Sequence, residues 1–316
     1  MQLSIVIPYH DEGVDFISTT LRSIYDTIDI EDYEVIIVDD GSEKPLSLPG
    51  KEKVLRHEKN RGVGAAFDTG VQHAHSDNLF LMGSDIRFIA NGWASGMLKE
   101  IKDYPKAFTC TTCVILNKDK MDIVARMKEN KTCNGATILI FHDHTTNPRK
   151  PPSFKGIIEA KWLPYNSNIY QDSYEIPCIL GAAYGVSKRW YEYVDGWAGH
   201  YRWGSLEPHI SLKSWMFGGS CRIAPSIATG HIFKPAGTHG TPQHALYYNK
   251  IFIASVLLPD TERITSFFNK TSNLTKAQEM IKEKEEYIAQ KRQEYQQKTV
   301  MSIQDFCKRW EIDYRE

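Results

Sequence analysis

Residues 3–42 read LSIVIPYHDEGVDFISTTLRSIYDTIDIEDYEVIIVDDGS. Ser4 to Pro8 and Glu34 to Val38 are short aliphatic runs, and between them Phe16, Leu21, Ile24, Tyr25 and Ile28 recur at helical spacing. Unbroken aliphatic runs mark strands covered on both faces, so the stretch predicts a βαβ unit with parallel strands. The second strand ends in Asp39-Asp40-Gly41-Ser42, placing acids and a turn residue at the carboxyl edge where open α/β sheets bind ligands.

Outward from there the pattern repeats. Lys53 to Arg56 reads as a short strand, Asn60-Arg61-Gly62-Val63-Gly64 as a loop opening a helix to about His75, and Asn78 to Met82 as a strand ending in Gly83-Ser84-Asp85. Three strand ends therefore converge on one rim. A helix is expected from Gly92 to Tyr104, and strands over Ala107 to Leu116 and Thr137 to Phe141. Residues 143–156 (DHTTNPRKPPSFKG) read as a loop or a strap over the sheet. Beyond them come aromatics such as Trp162, Tyr165, Tyr170, Trp190, Trp197, Trp203 and Trp215, suited either to core packing or to stacking on a sugar ring. Lys276 to Lys298 is dense in Lys, Glu and Gln with sparse apolar residues at Met280, Tyr287, Ile288 and Tyr295, predicting an exposed helix on the domain or against a partner. Ser302 to Trp310 predicts a shorter helix.

The chain has 316 residues, 41% hydrophobic and 24% charged, enough for one large α/β domain with or without an appendage. A net charge of −1 gives the whole chain no electrostatic reason to seek nucleic acid or an anionic membrane. The amino terminus lacks the features of a secretory signal and no apolar run approaches about 20 residues, so a cytoplasmic protein is expected. The six scattered cysteines, including Cys110 and Cys113 on one strand, read as reduced thiols.

Several groups could carry chemistry. Asp39 and Asp40 could accept hydrogen bonds from a uracil N–H or ribose hydroxyls, or could cap the following turn. In Asn60 to Gly70, glycines such as Gly62 let backbone N–H groups approach a diphosphate and Arg61 can pair with it; a tight loop ending in a helix is the alternative. Asp85, beside Ser84, is a single carboxylate at a strand end, and His231 could join it on a cation better suited to Mn²⁺ than Ca²⁺. Glu207 follows Trp203 at the start of a helix, where a carboxylate can take a proton or simply complement the helix dipole. His142-Asp143-His144 reads as a solvated turn, and His239 and His244 as part of a possible lid.

Taken in order, these motifs resemble the family 2 type nucleotide-sugar glycosyltransferases of the GT-A fold. The second half is similar to the polypeptide N-acetylgalactosaminyltransferases and chondroitin-polymerase-like enzymes. The opening I-P-x-x-x-E is met by Ile7 to Glu12, V-D-D-G-S by Val38 to Ser42, and the glycine loop by Asn60, Gly62, Ala66 and Gly70, with Asp68 where the family often has Asn. The metal motif Asp-any-Asp is reduced to Gly83-Ser84-Asp85, while G-H-x-F-[RK] is met in full by Gly230 to Lys234. In the acceptor-side W-G-G-E-[DN] pattern, Leu206 replaces the first acid and Glu207 stands where inverting members carry their base. Gly181-Ala182-Ala183-Tyr184 corresponds to the stretch beneath the sugar, and Asn249-Lys250 to Phe267-Phe268 to the segment closing the fold.

The resemblance implies a GT-A α/β fold, a mostly parallel sheet with helices on both faces, over residues 1–270, followed by a helical extension over 271–316. It implies a UDP-sugar donor bound by Pro8, Tyr9, Glu12 and Asp40 at the nucleoside, by Arg61 and Gly62 near the diphosphate, and by Gly181 and Ala182 beneath the sugar, with Ser84 and Trp203 also in the donor site. Asp85 and His231 would hold Mn²⁺ or Mg²⁺. Glu207 would deprotonate the acceptor, leaning towards inversion. The acceptor is expected to be a glycan or lipid-linked glycan, with hydroxymethylated DNA as an alternative through Arg149, Lys150 and Lys155. A catalytically lapsed nucleotide-sugar binder is another reading, and the tail helix could mediate self-association.

Overall fold

The computed structural model describes residues 1–316 except 118–119, 130, 141–155, 165–171, 234–239, 260, 267, 269–270, 313 and 315–316. The expectations for Phe141, the 142–144 turn, Arg149, Lys150, Lys155, Tyr165, Tyr170, Lys234, His239 and Phe267 lie outside the described residues.

The opening stretch folds as β1 (Leu3–Tyr9), α1 (Val14–Tyr25) and β2 (Tyr33–Asp39), with β1 and β2 parallel from Leu3↔Tyr33 to Tyr9↔Asp39. Alternate residues of these strands enter two cores on opposite faces. Leu3, Ile5, Ile7, Val35 and Ile37 pack with Leu21 and Ile24 of α1, whereas Val6, Ile36 and Val38 face the other side. β3 (Lys53–Arg56) extends the parallel edge, and α2 (Val63–Gln72) lies close on the sheet because Gly70 has no side chain: a Cβ there would come within 2.2 Å of Val6 Cγ1. β4 (Asn78–Met82) pairs with β1 in parallel.

The second half comprises β5 (Ile86–Phe88), α3 (Trp93–Asp103), β6 (Ala107–Leu116), α4 (Ile123–Lys128), β7 (Thr132–Leu139), β8 (Glu159–Pro164), β9 (Tyr174–Glu175), β10 (Ala183–Ser187), α5 (Lys188–Tyr193), α6 (Leu206–Met216), β11 (Ser220–Ile232) and α7 (Gln243–Leu257). The strand order is β3-β2-β1-β4-β10-β6-β11-β5. Within this order β10 and β5 run against the other six, because β10 is antiparallel to both β4 and β6, and β5 to β11; off it, β7 and β9 also run against them, paired antiparallel to β6 and β11. β7 begins at Thr132 rather than at the expected Thr137, since Cys113↔Cys133 pairing with β6 recruits the polar residues before it. β11 slips against β6 between Ala224 and Ala228, a bulge that leaves Pro225 to Ile227 unpaired.

After α8 (Thr261–Ser266), the carboxyl-terminal helices α9 (Ser272–Glu283), α10 (Glu285–Lys298) and α11 (Ile303–Arg309) lie on the domain. Their Leu274, Ala277, Ile288, Tyr295, Ile303, Phe306 and Cys307 join the same core as α6, α7 and one face of the sheet. The boundary expected at residue 270 therefore does not coincide with a break in packing. Among the described residues, no helix is long and apolar enough to cross a membrane.

Candidate active site

The carboxyl ends of β1, β2 and β4 open onto a cleft of about 480 Å³. Its lining takes Pro8, Tyr9, Glu12, Asp40, Gly62, Ser84 and Asp85 from the first half of the chain, termed the near wall, and Glu159, Trp162, Gly181, Ala182, Tyr184, Trp203, Glu207 and His231 from the second half, termed the far wall. Of the residues assigned to the donor, the metal or the base, Arg61 alone is missing from this lining; Asp39 and His244 also lie outside it.

Two acids organise the near wall. Asp39, fully buried, accepts from the backbone N–H groups of Ser42 and Leu46 and from Arg56, and it lies below the usual carboxylate range because these bonds outweigh the burial that opposes ionisation. Asp40 accepts from the backbone N–H groups of Arg61 (2.8 Å) and Gly62 (2.7 Å) and contacts His57 Nδ1 at 2.6 Å. Its carboxylate thus ties the glycine loop to the strand end while lining the cleft. Through that tie Arg61 contributes its N–H to Asp40, while the residue is exposed and absent from the cleft lining, so its expected place at the diphosphate gains no support here. Arg202 occupies the cleft instead, the one Lys or Arg in its lining among the described residues. Its backbone, at φ 58°, fills the space against Gly62: a Cβ on Gly62 would fall 2.5 Å from Arg202 Cα. Tyr9 accepts from Gly13 N–H at 3.1 Å and Glu12 from His10 N–H at 2.6 Å, shaping the turn after β1.

Asp85 and His231 come together although 146 positions apart. Antiparallel pairing of β5 with β11 puts His231 opposite Ile86, and Ile232 N–H donates to the Asp85 carbonyl at 3.0 Å. The side chains meet with Nε2 3.5 Å from Oδ2, too long for a good hydrogen bond and near the spacing of about 3 Å for two atoms ligating one ion at 2.0–2.2 Å. One carboxylate oxygen and one imidazole nitrogen suit Mn²⁺ or Mg²⁺ completed by phosphate oxygens and water. Among the described residues no third His, Cys, Asp or Glu joins them. Gly83 leaves room here, because a Cβ at that position would lie 2.5 Å from Asp85 Oδ1.

Glu207 sits in the first turn of α6 and accepts from the Tyr184 hydroxyl at 2.9 Å; that hydroxyl in turn accepts from Ala182 N–H at 2.9 Å. Burial is the main cause that raises the Glu207 pKa, with Glu159 adding to it and the Tyr184 hydrogen bond and His231 opposing it. Tyr184 is pushed up strongly by burial and by Glu207, so it stays a donor. Gly181 and Ala182 turn the chain at φ 114° and 57°, and Gly83 N–H donates to the Ala182 carbonyl at 2.8 Å, locking this floor to the strand that carries Asp85.

The loop before α6 is pinned from α7. Asn249, buried, donates to the carbonyls of Tyr201 (2.9 Å), Trp203 (3.3 Å) and Gly204 (3.1 Å) and accepts from Tyr201 N–H (2.9 Å). His200, lowered to about 3 by burial and hence neutral, contacts the Gly204 carbonyl at 2.8 Å. Trp197 stacks on Phe67 of α2 and donates to the Leu206 carbonyl at 2.9 Å, which joins the two walls.

The profile described as Glycosyl transferase family 2 matches residues 4–163, about half of the chain. The chain belongs to glycosyl transferase family 2. Its relatives include polypeptide N-acetylgalactosaminyltransferase 11 of Xenopus tropicalis, 23% identical over 81% of this chain and 43% of that protein. Polypeptide N-acetylgalactosaminyltransferase 5 of Caenorhabditis elegans is 25% identical over 85% of this chain and 43% of that protein. The chain thus spans less than half the length of these relatives. A solved structure of GalNAc-T7 with UDP, GalNAc and Mn²⁺ matches with a TM-score of 0.63 at 18% identity, covering 88% of this chain and 53% of that one. The likeness identifies the GT-A fold.

In this family 2 domain, sequence reading missed four contributors to the site. Arg202 stands beside the noted Trp203, but only its left-handed backbone turns it to the cleft. His57 was hidden because its partner Asp40 is 17 positions away. Tyr184 was noted as part of a stretch without its bond to Glu207, and Glu159 carries no motif at all.

Proposed function

We propose that this domain transfers a hexose or N-acetylhexosamine from a UDP-sugar to an acceptor hydroxyl, with a divalent cation and with Glu207 as general base. The observation that carries the reading is a single cleft lined both by the Asp85–His231 pair and by the half-buried Glu207 carboxylate, which is hydrogen-bonded to Tyr184. Near-wall residues Pro8, Tyr9, Glu12 and Asp40 would bound the nucleoside, with Gly62, Ser84 and Arg202 towards the diphosphate. Gly181, Ala182 and Trp203 would bound the sugar. Mn²⁺ or Mg²⁺ on Asp85 and His231 would neutralise diphosphate charge as UDP departs.

Glu207 takes the acceptor proton as the acceptor oxygen bonds to the anomeric carbon. The bond from that carbon to the diphosphate oxygen breaks, and its electron pair leaves with UDP. Attack opposite the leaving group gives inversion. Tyr184 holds one Glu207 oxygen, leaving the other for the proton.

The reading is tested by thermal unfolding with UDP or GDP, each with and without Mn²⁺, followed by UDP release from a panel of UDP-sugars. UDP with Mn²⁺ is expected to stabilise the native state, by about 2.7 kcal/mol at a hundredfold excess over Kd. Stabilisation by GDP alone would refute the donor. Binding of UDP without turnover of any UDP-sugar would favour the lapsed binder, which Gly83 in place of an acid otherwise supports.

A further inference from the structure

Beside the base, the cleft holds a second carboxylate that the mechanism leaves unused. Glu159 opens β8 and lines the cavity with 38% of its side chain exposed. Its Oε2 is held at 2.6 Å by Lys250 Nζ, and Lys250 is buried on α7 with further bonds to the carbonyls of Ile157 and Ile158. The Ser205 hydroxyl adds a bond to the Ile158 carbonyl at 2.9 Å. Clamped in this way, Ile158 sits at φ 46°, a left-handed conformation that a β-branched residue adopts only when its surroundings impose it. Burying a lysine disfavours its charge, and here that cost supports an acid in the cleft wall rather than one in the core.

Resting on the transferase reading, we propose that Glu159 binds the acceptor: its second carboxylate oxygen takes the hydrogen of a hydroxyl neighbouring the one Glu207 deprotonates, selecting an uncharged sugar ring. Glu159 and Glu207 line the same cleft, and the Glu159 charge is among the causes that raise the Glu207 pKa. Two carboxylates repel a phosphodiester or a uronic acid but accept hydroxyl hydrogens from a neutral polyol. Trp162 and Trp203 supply flat faces in the same wall, Trp203 being 42% exposed and Trp162 packed edge-on to Phe233 at 6.0 Å. A lone serine or threonine hydroxyl in a peptide has no neighbouring hydroxyl to satisfy Glu159.

The experiment measures UDP release from the UDP-sugar that the domain hydrolyses, with methyl glycosides of galactose, glucose, N-acetylgalactosamine and N-acetylglucosamine, a methyl glucuronide, and a threonine peptide as acceptors. A neutral glycoside should raise release above hydrolysis. Glu159→Gln should raise that glycoside's KM about tenfold or more without raising the donor KM, as loss of a charged hydrogen bond requires. It should also narrow the gap between neutral glycosides and the glucuronide. Should Glu159→Gln fold poorly with Lys250 unpaired, the Glu159→Gln/Lys250→Met double variant supplies the same measurement. Stimulation by the peptide alone or by no glycoside, an unchanged glycoside KM, or a raised donor KM would each overturn the proposal. Absence of any donor hydrolysis by the wild type would instead strike the transferase reading itself.

Discussion

At Glu207 a carboxylate is placed where burial works against its charge, and the Tyr184 hydroxyl at 2.9 Å offsets part of that penalty. A glutamate whose folded pKa is raised binds its proton more tightly in the native state, so ionising it at neutral pH costs stability that returns as pH falls through that pKa. Glu207→Gln keeps an oxygen for Tyr184 and removes the charge. Transfer is expected to fall by about 10²–10⁴-fold while Tm at neutral pH holds or rises. The wild-type rate should climb with pH through the raised pKa, placing the acidic limb of a pH–rate profile above the ordinary glutamate value of about 4.3. A variant with full rate, or an acidic limb at the ordinary value, would remove Glu207 as base.

Among the elements, α7 does most to hold the loop before α6, since Asn249 alone serves three carbonyls of this loop, which carries Trp203. Asn249→Ala leaves those groups short of a donor in a buried place. A loss of about 2–4 kcal/mol in denaturant unfolding is expected, with weaker UDP–Mn²⁺ binding by calorimetry because the loop edges the cleft. Unaltered unfolding would show that the loop is held by other means. The strands legible from sequence were those with continuous aliphatic runs: β1, β2, β4 and β6 fall at or within a residue or two of the expected positions. β8, β9 and β10 were not anticipated because they are short and compositionally mixed, and β10 owes its antiparallel place to β4 and β6 on either side. Spacing within a motif was a sound guide to which segments meet, as at Asp85 and His231. It was a poorer guide to which residues line the cleft, as at Arg61, whose backbone Asp40 holds while the residue stays exposed outside the lining.

For the whole molecule, the carboxyl-terminal helices complete the core that supports α6. Tyr295 is fully buried, donates to Asp195 at 2.8 Å and receives Lys213 over its ring, while Lys291 pairs with the same Asp195 at 2.8 Å. Val300 and Met301 N–H groups donate to the Met216 carbonyl at the end of α6. Sequence reading gave this tail an exposed face correctly but could not weigh its few apolar residues, whose burial depends on surfaces supplied by α6 and α7. Leu274, Tyr295, Ile303 and Phe306, at about 1.5–3 kcal/mol each, together rival a typical net stability of about 5–15 kcal/mol. A chain ending at residue 270 should therefore lose its cooperative thermal transition by circular dichroism; retention of a sharp transition with UDP–Mn²⁺ binding would show the extension to be independent.

The slip in β11 has a consequence for how this domain can change over generations. From Ala224 to Ala228 the strand advances four residues while β6 advances one, from Thr111 to Thr112, so three residues are extra. Three is odd, and side chains alternate with a period of two, so the detour inverts the phase of everything downstream. Loss of one codon or two among Pro225, Ser226 and Ile227 would shorten the detour and shift the count to His231 equally, so the two changes cancel and the imidazole keeps the face fixed by its pairing with Ile115 and Ile86. Length in this corner is consequently free to drift, because the downstream ladder and not the residue count holds the imidazole on its side of the sheet.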